Sequence, residues 1–407
     1  MIVAETLRAA VVGTGFIGPH HIDAVRRGGY GEVAVLVDRD PDRGPRTARA
    51  LGVPRAVTDL DAVLEDPRID IVHICTPNRT HVEMARSAME AGKHVVIEKP
   101  VAIDRAGAES LLEVAARTKR HAAVALTYRG YPMVGRARDL VRSGRLGHLR
   151  LVHGGYLQDW LSDATDYNWR LDPAVGGLSR AVADIGTHWF DTAEFVTGAR
   201  VRSVMADLAT LVPVRHKPVR SGSAFSTGSG ATEPVVIHTE DAATILVRFD
   251  EGAIGALVVS QVSPGHKNDL TVHVSGTDQS LGWAQEDPER LWLGARTEAV
   301  VVTRDPLADP WPLGVPSLPA GHPEGWDEAL RDVLRPFYAA IAAGEDPAAY
   351  VAPAPYPTLT DGARSVALIE AVVESARSGR WVDVVPIDSA KGSGIGEAGV
   401  TGEGIGP

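Results

Sequence analysis

Residues 7–21 read LRAAVVGTGFIGPHH. An apolar run closes at Gly13, Gly15 and Gly18 follow, and a stretch of helical character continues to about Arg27. A second β-branched run, EVAVLVD (32–38), ends on Asp38, twenty residues past Gly18. G-x-G-x-x-G alone says little. Placed after a strand, opening a helix and followed by an acid at the next strand end, it becomes specific.

That arrangement is the one that holds a dinucleotide. Gly13 permits the tight turn, Gly15 lets the backbone approach a pyrophosphate, and Gly18 allows close helix–strand packing. The helix N-terminus then faces the phosphates, with Phe16 and Ile17 beside them. Asp38 suits two ribose hydroxyls and repels a 2′-phosphate, which favours NAD over NADP. Arg39 next to it is a guanidinium that suits that phosphate.

The strand–helix rhythm runs on. IDIVHICT (69–76), HVVIEKP (94–100) and HAAVALT (121–127) read as buried strands, and helical stretches lie near 42–51, 59–65, 81–92 and 104–118. This predicts a parallel sheet covered on both faces. Beyond residue 128 the segments become longer and strand-like at 149–158, 201–212, 241–250, 253–262 and 270–278, with helices over 176–197, 324–342 and 358–378. Turns such as DEG (250–252) suit antiparallel hairpins. The expected class is α/β plus α+β. A doubly wound parallel Rossmann sheet over 1–127 precedes a domain over 128–385 on a large open, mainly antiparallel sheet. A Gly-rich tail over 386–407 is expected to be disordered.

A length of 407 residues exceeds one ordinary core and fits two domains. The net charge of −11 disfavours nucleic acid and anionic membrane as partners. Cys75, the single cysteine, reads as a buried core thiol in a reducing compartment. The sequence shows neither a leader pattern nor some 18 apolar residues in a row, so a cytoplasmic protein is expected. The fourteen histidines are scattered without ligand spacing, so no metal is expected.

Three segments carry candidate chemistry. CTPNRTH (75–81) lies at the carboxyl end of a strand, where open sheets bind ligands. That makes Thr76, Pro77, Asn78 and His81 cofactor candidates, although helix capping alone would account for Asn78 and a histidine placed like His81 is more often packed in a helix than a ligand. IEKP (97–100) ends the next strand. A residue before proline is held extended, so Glu98 and Lys99 project at the rim expected for the nicotinamide. In ADIGTHWFDTAEF (183–195), helical spacing puts Asp184, His188 and Asp191 on one face. That stripe is either solvated or turned toward a cleft.

Together, GTGFIG, TPNRTH, EKP and GGLSRAVADIGTHWFD, in this order, resemble the Gfo/Idh/MocA family of sugar and cyclitol oxidoreductases, from about Arg8 to about Val384. The resemblance implies a tightly held NAD(P), a homodimer or homotetramer built through the open sheet, and a candidate cis peptide at Lys99–Pro100. It also implies that Lys99, Asp184 and His188 converge over the nicotinamide. Oxidising an alcohol removes a hydride from carbon and a proton from oxygen. A neutral imidazole is a competent base near pH 7, whereas an unperturbed lysine near 10.4 is a poor one. His188 is therefore read as base, Lys99 as polariser and relay, and Asp184 as the binder of an adjacent hydroxyl. The first two roles remain exchangeable, and Asp191 is read as structural.

Aromatic and hydrogen-bonding clusters point to a sugar or polyol substrate. YLQDW and YNWR bring Tyr156, Gln158, Trp169 and Arg170; LTYRGYP brings Tyr128 and Arg129; GHPEGW brings His322. Trp169 and Arg170 resemble positions near cofactor and substrate in relatives. Many members read Gly-Gly-Gly where this chain continues with Leu178, Ser179 and Arg180 after Gly176-Gly177, bulk expected to alter which sugar fits. The segments YLQDWL, YNWRLDP and SQVSPGHKN resemble most a branch oxidising pyranosides or anhydrosugars such as levoglucosan, at C3. An NAD-dependent glycosidase acting by transient C3 oxidation, and a non-catalytic NAD-binding regulator, are the alternatives.

Overall fold

The structure, a computed structural model, describes residues 6–218, 232–306, 317–349 and 354–388. The tail from residue 389 onward and most of the Gly/Ser loop at 221–233 lie outside the described residues.

Six parallel strands form the first sheet: β1 (Leu7–Val12), β2 (Gly31–Val37), β3 (Arg55–Val57), β4 (Ile71–Ile74), β5 (His94–Ile97) and β6 (Ala122–Val124). Their order is β3-β2-β1-β4-β5-β6. The helices of this half are α1 (Ile17–Gly28), α2 (Arg43–Ala50), α3 (Asp61–Leu64), α4 (His81–Glu90) and α5 (Arg105–Thr118). Burial on both faces explains the unbroken Val/Ile runs of β4 and β5, where Ile71, Val72, Val95 and Val96 are fully covered. The order reverses between β1 and β4, so the loops leaving these strands diverge and open a crevice. The edge strand β3 has only three residues, Arg-Ala-Val, too few for a legible pattern.

The second half contains β7 (Leu149–Leu157), β8 (Val201–Ala209), β9 (Val214–Pro218), β10 (Thr232–Val236), β11 (Ala242–Phe249) and β12 (Ile254–Ser260). β13 (Asp269–Gly276), β14 (Ser280–Ala284), β15 (Arg290–Gly294), β16 (Ala299–Thr303) and β17 (Val382–Asp383) complete it. Nine of these make one open sheet, β16-β15-β14-β13-β7-β12-β11-β8-β17, and β9 pairs with β10 separately. The large sheet is antiparallel except where β12 runs parallel to β7. Helices α6 (Pro132–Arg142), α8 (Thr187–Thr197) and α10 (Leu359–Ser378) pack on its inner face, and the short α7 (Pro173–Gly176) precedes α8. α9 (Trp326–Ala342) instead returns to the first half. Its Leu330, Phe337 and Tyr338 share a core with Ile22 and Val25 of α1.

Among the described residues, the outer face of the large sheet carries many exposed side chains. One register row crosses eight strands as Met205, Leu246, Ala256, His153, His273, Gly282, Trp292 and Val301. Leu246 and Val301 in that row are more than half exposed.

The single helix expected over 176–197 is broken. Residues Val182–Gly186 form a π turn that leads into α8. A buried carboxylate organises its start: Glu240 Oε1 accepts from Arg180 N, Val182 N and Ser179 Oγ. These donors would otherwise be orphaned at a helix N-terminus. π turns concentrate at functional sites, and this one carries Asp184.

Candidate active site

The glycine loop leaves space where a phosphate would need it. Gly13 has φ +103, and a Cβ there would lie 2.6 Å from Cys75 O. A Cβ on Gly18 would lie 2.2 Å from Gly13 O. Both glycines are demanded by the packing of the loop itself. Around Gly15, by contrast, no atom lies within 4 Å of the Cβ position. Among the described residues no side chain caps α1, an arrangement that suits an anion at its first turn. Phe16 is exposed at this end and packs against the His20 ring, while Ile17 is half-buried in α1. The loop fits a dinucleotide pyrophosphate.

At the end of β2, Asp38 is buried beneath Arg43 of α2, whose Nε and Nη2 each donate to it at 2.8 Å. Thr14 Oγ1 and Asp40 N donate to it as well. Arg39 is exposed and has no hydrogen bond among the described residues.

After β4, Thr76 and Pro77 lead into a short turn over Asn78–Thr80. Asn78 Nδ2 donates to Gly176 O at 3.0 Å, tying this loop to the other half of the chain. His81 requires a correction. Its ring nitrogens face Thr76 O and Pro100 O, both at 2.8 Å, and it is fully buried. It fastens the loop after β4 to the loop after β5 and has no surface for a cofactor. Glu98 also turns inward, accepting from His21 Nε2 at 3.0 Å and from Lys99 N at 3.2 Å. His21 continues to His73, and His73 to the Tyr338 hydroxyl of α9.

Lys99 precedes a cis bond to Pro100. Its Nζ donates to Asp184 Oδ1 at 2.8 Å and to Asp184 O at 2.6 Å. Arg170 Nε reaches the same Oδ1 at 3.0 Å and stacks over the Trp169 ring. Gln261 Nε2 takes Asp184 Oδ2 at 2.8 Å. Burial pushes the Asp184 carboxyl up, but Arg170 and Lys99 outweigh it and hold the group well below the usual carboxylate range.

His188 lies on α8, four residues beyond Asp184, and is nine-tenths buried. Burial, helped by the Lys99 charge, pushes its imidazole well below 6.5, so it is neutral at pH 7. Its Nδ1 has no hydrogen-bond partner among the described residues.

The Tyr128 ring meets His188 edge-on at 4.8 Å. The Tyr128 hydroxyl bonds Tyr156, and Asn268 bonds both tyrosines. Gln158 links Asn268 to Trp160 Nε1 at 3.0 and 2.8 Å. This chain of polar groups runs beside the imidazole. Burial pushes the Tyr128 phenol up to about 12, so it remains protonated.

Two further expectations are corrected. Arg129 is committed elsewhere: its Nη2 bridges Asp191 and Asp361, locking α8 to the first turn of α10. A guanidinium held by two carboxylates has little left for a substrate. His322 sits on an exposed turn, where its carbonyl accepts from Arg304 Nη2 at 2.7 Å. No contact among the described residues links it to Lys99 or His188.

The bulk following Gly176-Gly177 also divides. Ser179 and Arg180 are buried, Arg180 against Asp241 and Gln261, and only Leu178 is exposed. Sequence reasoning missed Arg43, Gln261 and Asn268. The last two fall in the SQVSPGHKN stretch, whose polar residues after a strand were the available signal.

Residues 7–126 match the oxidoreductase family with an NAD-binding Rossmann fold, and residues 134–282 match the Gfo/Idh/MocA C-terminal domain. The chain belongs to the Gfo/Idh/MocA oxidoreductase family. Among Gfo/Idh/MocA members, levoglucosan dehydrogenase of Pseudarthrobacter phenanthrenivorans is 30% identical, with 95% of this chain and 100% of that protein aligned. A solved levoglucosan dehydrogenase complex with NADH and L-sorbose superposes with a TM-score of 0.84 at 28% identity, covering 94% of this chain and 100% of that one. An inositol dehydrogenase homologue from Azotobacter vinelandii, complexed with NAD+, gives 0.82 at 30% identity over 94% and 98%. The Gfo/Idh/MocA assignment agrees with the two observed sheets, one parallel with six strands and one large and mostly antiparallel.

Proposed function

We propose that the chain oxidises a secondary hydroxyl of a cyclic sugar or anhydrosugar, at C3 of a pyranose ring, with NAD. The observation that carries this reading is the meeting of Lys99 Nζ with Asp184 at 2.8 Å, beside a neutral, buried His188. The nicotinamide supplies the hydride acceptor when the cofactor is bound. His188 takes the hydroxyl proton, which only its neutral form can do. Lys99 Nζ donates to the same oxygen and stabilises alkoxide character as the proton leaves. Asp184, fixed by Arg170 and Gln261, keeps the lysine in place and accepts from a neighbouring hydroxyl. Gln158 and Asn268 supply further donors and acceptors and Trp160 a ring face, while the buried Tyr128 and Tyr156 hold Asn268 in place.

Incubation with NAD and a panel of pyranosides, anhydrosugars and cyclitols should produce the absorbance of reduced nicotinamide. NMR of the product should show a ketone at C3. Silence across the panel with both NAD and NADP refutes the reading. Release of an aglycone without net reduction of cofactor assigns the chain instead to glycoside cleavage by transient oxidation.

We also propose that two copies associate through the outer face of the large sheet, in the cytoplasm. Exposed Leu151, Ile254, Val258, Leu246 and Trp292 share this face, and large apolar side chains gathered on one face mark association surfaces. Sedimentation should report a dimer or tetramer, and Leu246→Asp should shift it toward monomer.

A further inference from the structure

Between β7 and the short turn at Trp169–Leu171, residues 158–168 carry neither helix nor strand. Both ends of this segment reach groups beside Lys99 and His188. At the near end, Gln158 bonds Asn268, which holds the tyrosine pair next to the imidazole. At the far end, Arg170 Nε meets Asp184 Oδ1 at 3.0 Å. The segment therefore walls one side of the cleft, and it carries Trp160.

A wall made of loop needs partners for its main-chain carbonyls. One guanidinium supplies three of them. Arg215, on β9, donates through Nη2 to Leu161 O at 2.8 Å, and through Nη1 to Asp163 O at 2.9 Å and Asp166 O at 3.2 Å. Its Nη2 also meets Asp241 Oδ1 at 2.9 Å, and both of these side chains are fully buried. The same Oδ1 accepts from Arg180, whose Nη1 holds Gln261, the residue that fixes Asp184. His216 N adds a bond to Ala164 O at 2.8 Å. Leu161 and Leu171 pack with Ile237, just past β10, in a small core of their own. The wall thus rests on the β9–β10 pair, which lies outside the large sheet. Lys99 and His188 rest on β5 and α8. Among the described residues Arg215 has no hydrogen bond to Lys99, Asp184 or His188.

We propose that Arg215 is a positioning residue for sugar specificity: without touching substrate it fixes the 158–168 wall, and so the size of the ring system that the cleft admits. The inference rests on the sugar-oxidising reading of the site and extends it to a residue outside the cleft. Lysine is no substitute. A planar fork meets four acceptors in fixed directions, whereas an ammonium offers three donors on a flexible stem. With the fork gone, the freed carbonyls turn to water and the middle of the wall moves. Its ends, Gln158 and Arg170, keep their own partners.

The test is steady-state kinetics with NAD on wild type, Arg215→Lys and Arg215→Ala. The single-ring probes are levoglucosan, methyl β-glucoside and myo-inositol, and the double-ring probes are cellobiosan and cellobiose. Fluorescence titration follows NADH, and circular dichroism checks folding. In Arg215→Lys, KM for the preferred single ring should rise about tenfold, as displacement of a binding wall does. Its kcat and NADH affinity should hold, the pattern of lost substrate binding. The single-ring to double-ring ratio of kcat/KM should fall. In Arg215→Ala the same changes should be larger, and millimolar guanidinium chloride should lower its KM while leaving wild type unaffected. If Arg215→Ala does not fold, Arg215→Lys decides. If neither folds, Arg215 serves the fold alone and the proposal is lost. A wild-type KM and ring ratio in folded Arg215→Lys overturns it, and so does a joint fall of kcat and NADH affinity at constant KM. If the wild type oxidises no probe, the sugar-oxidising reading and this proposal fall together. If it does and only the Arg215 variants fail to respond, the reading stands and Arg215 alone is excluded.

Discussion

Lys99 and Asp184 are joined across the two halves of the chain: one ammonium group donates to the carboxylate at 2.8 Å and to the main-chain carbonyl of the same residue at 2.6 Å. Lys99 leaves the rim of the parallel sheet, and Asp184 lies in the π turn before α8. The cleft is therefore defined by a contact that neither half can make alone. His188 follows on α8, uncharged, with the tyrosine pair beside it.

Removing either group proposed to handle the proton should stop chemistry and spare nucleotide binding. Lys99→Ala and His188→Ala are expected to lower kcat by about 10²–10⁴-fold, the usual contribution of a positioned acid or base. NADH affinity should change little, since the glycine loop and Asp38 remain. Stopped-flow turnover paired with fluorescence titration measures both. Near-normal kcat in either variant contradicts the assignment.

Gln261 is a positioning residue for Asp184, and its replacement separates geometry from charge. Gln261→Leu leaves Asp184 Oδ2 without its donor in a buried site, where an unmet acceptor costs about 1–3 kcal/mol. The Asp184 carboxyl should then titrate higher, and the acid limb of kcat should move to higher pH. Gln261→Glu should move it further, because a second carboxylate opposes ionisation of the first. A pH profile identical to wild type would show that Gln261 merely fills space.

Histidine burial gives stability a predictable pH dependence. His73, His121 and His188 are pushed below 6.5 by burial, and His94 to about 3. Each is neutral in the folded chain and more readily protonated when unfolded. The unfolded state therefore binds more protons below about pH 6.5, and stability falls as pH drops through that range. Asp184 and Asp361, held below the carboxylate range, add a loss of the same sign at lower pH. Thermal melts at pH 7.5 and 5 should show the lower Tm at pH 5. Turnover should nonetheless keep no limb at 6.5, since His188 stays neutral there.

The local parts of this site were legible and the distant ones were not. GTGFIG announces itself because every constraint on it, turn, close approach and helix start, lies within a few residues. EKP and the Asp184–His188 spacing are likewise short-range. The π turn was invisible because Glu240, which fixes the helix start, lies some sixty residues downstream. Arg43 does not stand out although it lies only five residues from Asp38, because a basic residue at a helix start carries no signal of the side chain it will pair with. Strands β14 to β16 are short and lack the long apolar runs that marked β11 and β12. The return of α9 to α1 and of Arg129 to Asp361 are pairings of some 230 residues' separation or more, set by topology rather than pattern.

Arg129 provides the sharpest test of that distinction, because it read as a substrate ligand and the structure makes it a brace. Its guanidinium joins Asp191 on α8 to Asp361 at the start of α10, and all three side chains are mostly buried. Removing one partner of a buried ionic cluster strands the others and costs about 3–5 kcal/mol. Arg129→Ala should therefore lower the denaturation midpoint strongly. Asp191→Asn should cost less, because an amide keeps one acceptor for the guanidinium. Where folded protein is recovered, KM for the sugar should stay close to wild type. A variant of normal stability with a KM raised tenfold would return Arg129 to the substrate site.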